Sequence, residues 1–291
     1  MTEHNTPYEG LADDLGDHRW AFGTGFTDPL AGVDARIPDG VDAGALAAYC
    51  LMLGDDALIY SQRLQAWMTR APELEEEAAL ANVALDLLGQ GRLLLARAGQ
   101  AEDAGRDEDQ LAFFRDAYEF RNVRLTEHAD ADFAEVTGRL LLFATWRLAL
   151  CEQLRGCADP VLAAIAAKAV PELAYHRDYA AQWVVRLGDG TDLSHARMQA
   201  ALVTLWPYLD ELFTDDPVEL PGIAVRPATV RAQFDAVVDT VLATAGLEQP
   251  DAAPLAPVAR RTGRHGVHTE AFGYLLAEMQ SVARAHPAAT W

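Results

Sequence analysis

Residues 130–155 read DADFAEVTGRLLLFATWRLALCEQLR. Leu140, Leu141, Leu142, Phe143, Trp146 and Leu150 spread around most of a helical circumference. A helix that is apolar on nearly all sides belongs to the interior of a bundle rather than to a surface. Helices upstream and downstream must therefore cover it. From Asp42 onward, Leu46, Tyr49, Cys50, Leu53, Ala57, Tyr60, Leu64 and Trp67 recur at steps of three and four, which is the amphipathic helical period. Pro72 ends that helix or starts the next. A second helix is expected from Glu73 to Ala98, with Glu73, Glu75, Glu76 and Glu77 complementing its dipole and Gly99 as its stop.

A shorter polar helix is expected at about Asp107 to Thr126, just before the quoted stretch. After it, Asp159-Pro160 supplies an N-cap and a proline at the first helical position. That helix should run to about Leu187 and kink at Pro171. Gly188-Asp-Gly-Thr191 reads as a stop and a restart, since it is too short for a phosphate cradle and follows no strand. Further helices are expected at Asp192 to Phe213, Val230 to Leu247 and Thr269 to Ala285, with a Pro-rich linker at 250–257. No strand-like alternation competes, so the class is all-α. The organisation expected is an irregular N-terminal arm over residues 1–41 and one helical domain over residues 42–291.

Composition narrows the function classes. The chain has 291 residues, 44 acidic against 23 basic side chains, and a formal net charge of -21. That charge repels nucleic acid and anionic lipid, so neither is an expected partner. A single lysine, Lys168, stands among arginines. A GC-rich genome and a salt-rich cytoplasm both account for this, and the two readings stay open. Residues 1–16 are polar and acidic, and no apolar run approaches a membrane span of about 18 residues. A soluble cytoplasmic protein is the expectation. Cys50, Cys151 and Cys157 show neither zinc-knuckle nor disulfide spacing and read as buried small hydrophobes. Ser61, Ser194 and Ser281 lack the context of a nucleophile.

Helices of this length joined by short links suggest an antiparallel four-helix bundle able to hold a cofactor. The di-iron version of that fold needs a Glu on each of two helices and Glu-x-x-His on each of the other two. Two stretches have the right neighbourhood, Leu85-Asp-Leu-Leu-Gly-Gln-Gly91 and Pro171-Glu-Leu-Ala-Tyr-His-Arg177, and neither carries the motif. With Gln90 and His176 at the histidine positions, the residues three before them are Leu87 and Leu173, and an alkyl chain cannot bind iron. A carboxylate stands four before instead, pairing Asp86 with Gln90 and Glu172 with His176. These four residues are expected to form a metal-free polar cluster or to lie on a partner-facing surface. The rival is a metal site of unusual geometry, with Glu135 and Glu152 as further ligands. Near the C-terminus, Arg264, His268 and Glu270 read as an anion or partner contact, with Thr269 as the N-cap of the last helix.

Several of these stretches occur together in one order. They are Leu53-Gly-Asp-Asp-Ala57, Ala71-Pro-Glu-Leu-Glu-Glu76, Ala84-Leu-Asp-Leu-Leu-Gly-Gln90, Arg106-Asp-Glu-Asp109 with Glu119-Phe-Arg-Asn122, Trp183-Val-Val-Arg-Leu-Gly-Asp-Gly-Thr191, and Gly266-Val-His-Thr-Glu270 with Leu276-Ala-Glu-Met-Gln280. From about Ala45 to Trp291 the chain resembles the C-subunit family of the ring-1,2-phenylacetyl-CoA epoxidases, within the ferritin-like superfamily. The resemblance implies a ferritin-like fold and assembly with a homologous catalytic A subunit, which holds the di-iron centre. It further implies a small B subunit and a reductase that passes electrons from NADPH. The C subunit itself is implied to be structural, supporting the A subunit in aerobic phenylacetate degradation, with no catalytic residue and no cofactor of its own. It is also implied to be placed where basic side chains can meet the CoA phosphates. A di-iron oxygenase using Glu135, Glu152, Glu172 and His176, or a ferritin-type metal protein, is the alternative.

Overall fold

The computed structural model describes residues 30–215 and 217–289. The first 29 residues of the expected arm lie outside the described residues. Residues 30–41 form turns and irregular chain, with Leu30, Val33, Ile37 and Val41 packed against the core. Helix α1 spans Ala43–Gln65, and its N-cap Asp42 accepts the Ala45 N–H at 2.8 Å. Helix α2 spans Leu74–Glu102, α3 Glu108–Phe113, α4 Phe133–Leu154 and α5 Pro160–Gly188. Asp132 and Asp159 cap α4 and α5 through their carboxylates. Helix α6 spans Asp192–Leu205, α7 Leu209–Leu212, α8 Arg231–Ala245 and α9 Glu270–Ala285.

Helices α1 and α2 pack along their length, as do α4 and α5, and α2 lies beside α5 to close a four-helix bundle. Helices α6 and α8 cover α4 and α5, while α9 packs against α3 and α1. The fold is all-α and ferritin-like, and no strand occurs among the described residues. Helix α4 supplies the centre, where Leu140, Leu141, Leu142 and Phe143 are fully buried. Trp146 is buried beside them and its indole N–H donates to the Leu212 carbonyl at 2.9 Å. Truncating such a tryptophan to alanine costs about 3–5 kcal/mol.

Three boundaries differ from the sequence expectation. Helix α2 does not stop at Gly99 but continues to Glu102, ending where Asp103 turns left-handed at φ 51°. Gly99 instead admits a neighbouring segment, because a Cβ there would lie 2.2 Å from the Arg106 carbonyl oxygen. The single helix expected over Asp107 to Thr126 is broken into α3 and two short 3-10 turns, Ala117–Glu119 and Arg124–Glu127. The N–H groups of Arg121 and Val123 donate to the carboxylates of Asp55 and Asp56, so side chains of α1 replace helical acceptors here. The helix expected over Asp192 to Phe213 is interrupted by a 3-10 turn at Trp206–Tyr208, where Pro207 has no N–H to continue the ladder. Helix α5, by contrast, runs through Pro171. Cys50 and Cys151 are buried and Cys157 partly so, all three as free thiols.

Helices α1 and α2 are long and apolar enough to cross a membrane by length and composition alone. In the apolar window of α1, 72% of residues are buried, which marks a core helix. In α2 the share is 44%, so an apolar helix turns half of itself outward.

Candidate functional site

The middle of the bundle is polar. Helix α1 contributes Asp56, α4 Arg147, α2 Gln90 and Asp86, and α5 Glu172 and His176. Each stands on a helix whose inward face is largely apolar, broken elsewhere by buried Asp55, Ser61, Arg97, Thr137, Arg139 and Thr145. The Arg147 Nε–H donates to Gln90 Oε1 at 3.2 Å and an Nη2–H donates to the Leu53 carbonyl at 3.1 Å. Its Nη1 lies 3.9 Å from Asp56 Oδ2. Gln90 in turn donates to Glu172 Oε2 at 3.1 Å. The other oxygen of Glu172 pairs with Lys168, one turn earlier on α5. His176, fully buried, meets Asp86 Oδ2 through Nε2 at 3.0 Å.

The structure thus brings Asp86, Gln90, Glu172 and His176 together as two cross-helix pairs between α2 and α5. Leu87 and Leu173 are fully buried one turn before Gln90 and His176. This donor set does not fit a di-iron centre. Two of the required carboxylate positions are alkyl, and a guanidinium stands among the remaining polar groups, where it repels a metal cation. Glu135 and Glu152, the further ligands of the rival reading, do not converge on the cluster. Glu152 is exposed and accepts a hydrogen bond from Gln233 at 2.7 Å, while Glu135 bonds His128 at the start of α4. The cavity beside Gln90 and Arg147 measures about 10 Å³, the size of one water and far below any acyl substrate.

Sequence reasoning missed Asp56 and Arg147. Asp56 is fully buried and takes a bidentate ion pair from Arg264, at 3.0 and 2.9 Å, as well as the Val123 N–H at 2.8 Å. Burial pushes its carboxyl upward, and Arg264 and Arg147 oppose that shift. A signal was present: Asp55-Asp56 interrupts an otherwise apolar helical face, and Arg139 and Arg147 interrupt the helix that is apolar all round. Charges at such positions must find each other inside.

Arg264 and His268, expected at an anion or partner contact, have their side chains largely engaged within the fold. Arg264 is buried and holds Asp56, the Met52 carbonyl and the Arg121 carbonyl. His268 Nδ1 meets Glu127 Oε1 at 2.6 Å, and its ring stacks on Phe272. Both are interior because the turn over residues 263–265 is drawn onto α1. Only Glu270 is exposed, where the Tyr274 hydroxyl reaches it at 3.3 Å. Thr269 sits at the N-cap of α9, yet its backbone N–H rather than its hydroxyl is engaged, by Glu127 Oε2 at 2.7 Å. Arg264 forms part of the wall of an open groove of about 520 Å³ with Arg106, Arg115, Arg121, Arg261 and His265.

Comparison with known proteins agrees with this architecture. The model of the family described as phenylacetic acid catabolic protein (PaaA_PaaC) matches residues 36–291. The chain is 43% identical over 250 residues to the C subunit of the 1,2-phenylacetyl-CoA epoxidase of Escherichia coli (strain K12), an alignment that covers 84% of this chain and 99% of that protein. With its all-α bundle and a match across nearly every described residue, the chain belongs to the phenylacetic acid catabolic protein family.

Proposed function

We propose that this chain is the non-catalytic structural subunit of a multicomponent di-iron phenylacetyl-CoA epoxidase. It supports a homologous catalytic subunit in aerobic phenylacetate degradation and has no di-iron site of its own. The observation that carries the reading is Arg147, whose guanidinium occupies the bundle centre between Gln90 and Asp56. A cation built into the chain stands among the buried polar side chains of the bundle, where it opposes the binding of a metal cation.

The outer face of α2 and α5 suits the docking of another helical bundle. Ala78, Leu85 and Gly89 on α2 repeat at seven and four residues, and so do Ala164, Pro171 and Tyr175 on α5. This spacing keeps each set on one stripe. The Asp86–His176 and Gln90–Glu172 pairs lay the two stripes side by side. Leu85 is 62% exposed and Tyr175 51%, with small residues around them that permit close approach. The catalytic subunit is the proposed occupant, with a small B subunit and an NADPH-dependent reductase completing the assembly. A CoA phosphate reaching this chain would meet Arg121 and Arg261 in the arginine groove, since Arg264 and His268 are engaged within the fold.

Iron content tests the central claim. The full chain, expressed alone in iron-replete medium and purified without chelator, should carry almost no iron. About two tightly held irons per chain, the complement of a di-iron bundle, would make it an oxygenase or a ferritin-type protein instead.

A further inference from the structure

A second set of ligand-type side chains lies outside the bundle centre, at the turn between the 3-10 segment Arg124–Glu127 and α4. His128, Asp130 and Glu135 each place one donor atom within 4.8 Å of the other two. His128 Nε2 lies 2.9 Å from Glu135 Oε2, which also accepts the Ala131 N–H at 2.7 Å. Asp130 pairs with Arg139 through Oδ2 alone. Its other oxygen, Oδ1, is buried with no hydrogen-bond partner among the described residues, on a side chain only 1% exposed. A buried carboxylate oxygen without a protein partner is uncommon in folded proteins and calls for a water or an ion to meet it.

Arg139 does not fill that role. Its Nη1 donates to the carbonyls of His128 at 2.7 Å and Thr126 at 3.3 Å, its plane lies over the Tyr60 ring, and its Nε, like Asp130 Oδ1, makes no hydrogen bond among the described residues. Asp130 and Glu135 face two guanidiniums, Arg139 and Arg63, and Arg63 gives its hydrogen bonds to the carbonyls of Glu127 and Ala271 rather than to these carboxylates. His128 and Glu135 retain 15% and 14% of their side-chain exposure, so a solvated ion has a way in.

We propose that His128, Asp130 and Glu135 bind one divalent transition-metal ion of the zinc class. The donors are the His128 imidazole, Asp130 Oδ1 and a carboxylate oxygen of Glu135. One nitrogen and two oxygens suit a borderline cation, with water completing a four-coordinate shell at about 2.0–2.2 Å. The ion replaces the hydrogen bond between His128 Nε2 and Glu135 Oε2 and satisfies the unpaired oxygen of Asp130. It clamps the turn at 128–132 to the first turn of α4. Glu135 and Arg147 are twelve positions apart on α4, about 18 Å along its axis, so this ion is separate from any chemistry at the bundle centre.

Titration of the chelator-treated full chain with Zn²⁺ alone, followed by calorimetry and native mass spectrometry, tests the site. One ion per chain is expected, with Co²⁺ giving visible ligand-field bands. H128Q and E135Q should each weaken binding by about 100-fold or more, since even outer-shell partners of a ligand contribute 10–100-fold. H128Q should also abolish the bands. E152Q, on the exposed side of the same helix, should bind as the parent does. Asp130 is left intact because its pairing with Arg139 supports the fold, and melting in EDTA checks that the variants fold like the parent. Absence of stoichiometric binding, or binding untouched by H128Q and E135Q, would overturn the assignment and reduce any uptake to the acidic surface.

Discussion

Asp56 and Arg264 are 208 positions apart in sequence and meet in a buried, two-pronged ion pair, with Nη1 to Oδ1 at 3.0 Å and Nη2 to Oδ2 at 2.9 Å. Through it the turn before α9 is fastened to the middle of α1. Arg264→Ala strands a carboxylate in the core, with Arg147 as the guanidinium left within 4 Å. The expected loss is about 3–5 kcal/mol, read by urea unfolding. Glu270→Ala, at the exposed end of the same segment, should change stability by less than about 0.5 kcal/mol. Equal small effects at both positions would mean that the Arg264–Asp56 pair does not hold the turn to α1.

Tyr60 is fully buried, its hydroxyl makes no hydrogen bond of good geometry although the Arg139 guanidinium lies beside it, and burial pushes its ionisation well above the ordinary range. An unfolded tyrosine loses its proton near pH 10 while the folded one keeps it. The resulting stability is complete below about pH 10 and is lost as pH rises further. Tyr60→Phe should flatten this alkaline decline in the unfolding midpoint. At neutral pH it should be neutral or stabilising by up to about 1 kcal/mol, because it removes an unsatisfied polar group and keeps the ring against Phe143 and Arg139. A clear loss at pH 7 would show that the hydroxyl is bonded after all.

Two glycines of α2 should respond in opposite directions. A Cβ at Gly89 meets nothing within 4 Å, so Gly89→Ala gains roughly 0.5–1 kcal/mol of helix stability. At Gly99 the added carbon collides with the Arg106 backbone, and Gly99→Ala should lose at least about 2 kcal/mol as the segment after α2 is displaced. Thermal melts of the two variants decide it, and a stabilising Gly99→Ala would mean that the close approach is not there.

Leu85→Glu and Tyr175→Glu alter exposed positions and should leave the melting temperature of the isolated chain within a degree or two of the parent. In pull-down or sedimentation with the catalytic subunit each should weaken association by about 2 kcal/mol, roughly 30-fold. Unchanged association would move the docking surface away from the α2–α5 face.

The long helices were legible because their apolar positions repeat every three to four residues and their N-caps are local. Asp42, Asp132 and Asp159 cap within three residues of themselves. The chain between α3 and α4 was not legible in the same way. Its path is set by Asp55 and Asp56, about 60 positions earlier, which capture Arg115, Arg121 and Val123. Propensity over residues 107–126 favours a helix, and tertiary hydrogen bonds override it. Leu87 and Leu173 could be read as lost ligands from spacing alone. The presence of Arg147 between Gln90 and Asp56 could not, since it depends on how α4 is turned against α1 and α2. The pairing of Arg264 was not legible for a related reason: the buried aspartate that takes it lies 208 positions away in sequence.

Arg147 has a consequence for the cell as well as for the fold. A bundle whose inward carboxylates await iron holds mutually repelling groups until the ion arrives, and its maturation follows the iron supply. Here the positive charge at the bundle centre arrives with translation and cannot be chelated, oxidised or exchanged. Under the function proposed above, iron starvation would limit the metal-bearing partner while leaving a stock of finished scaffold, ready to receive each newly loaded partner.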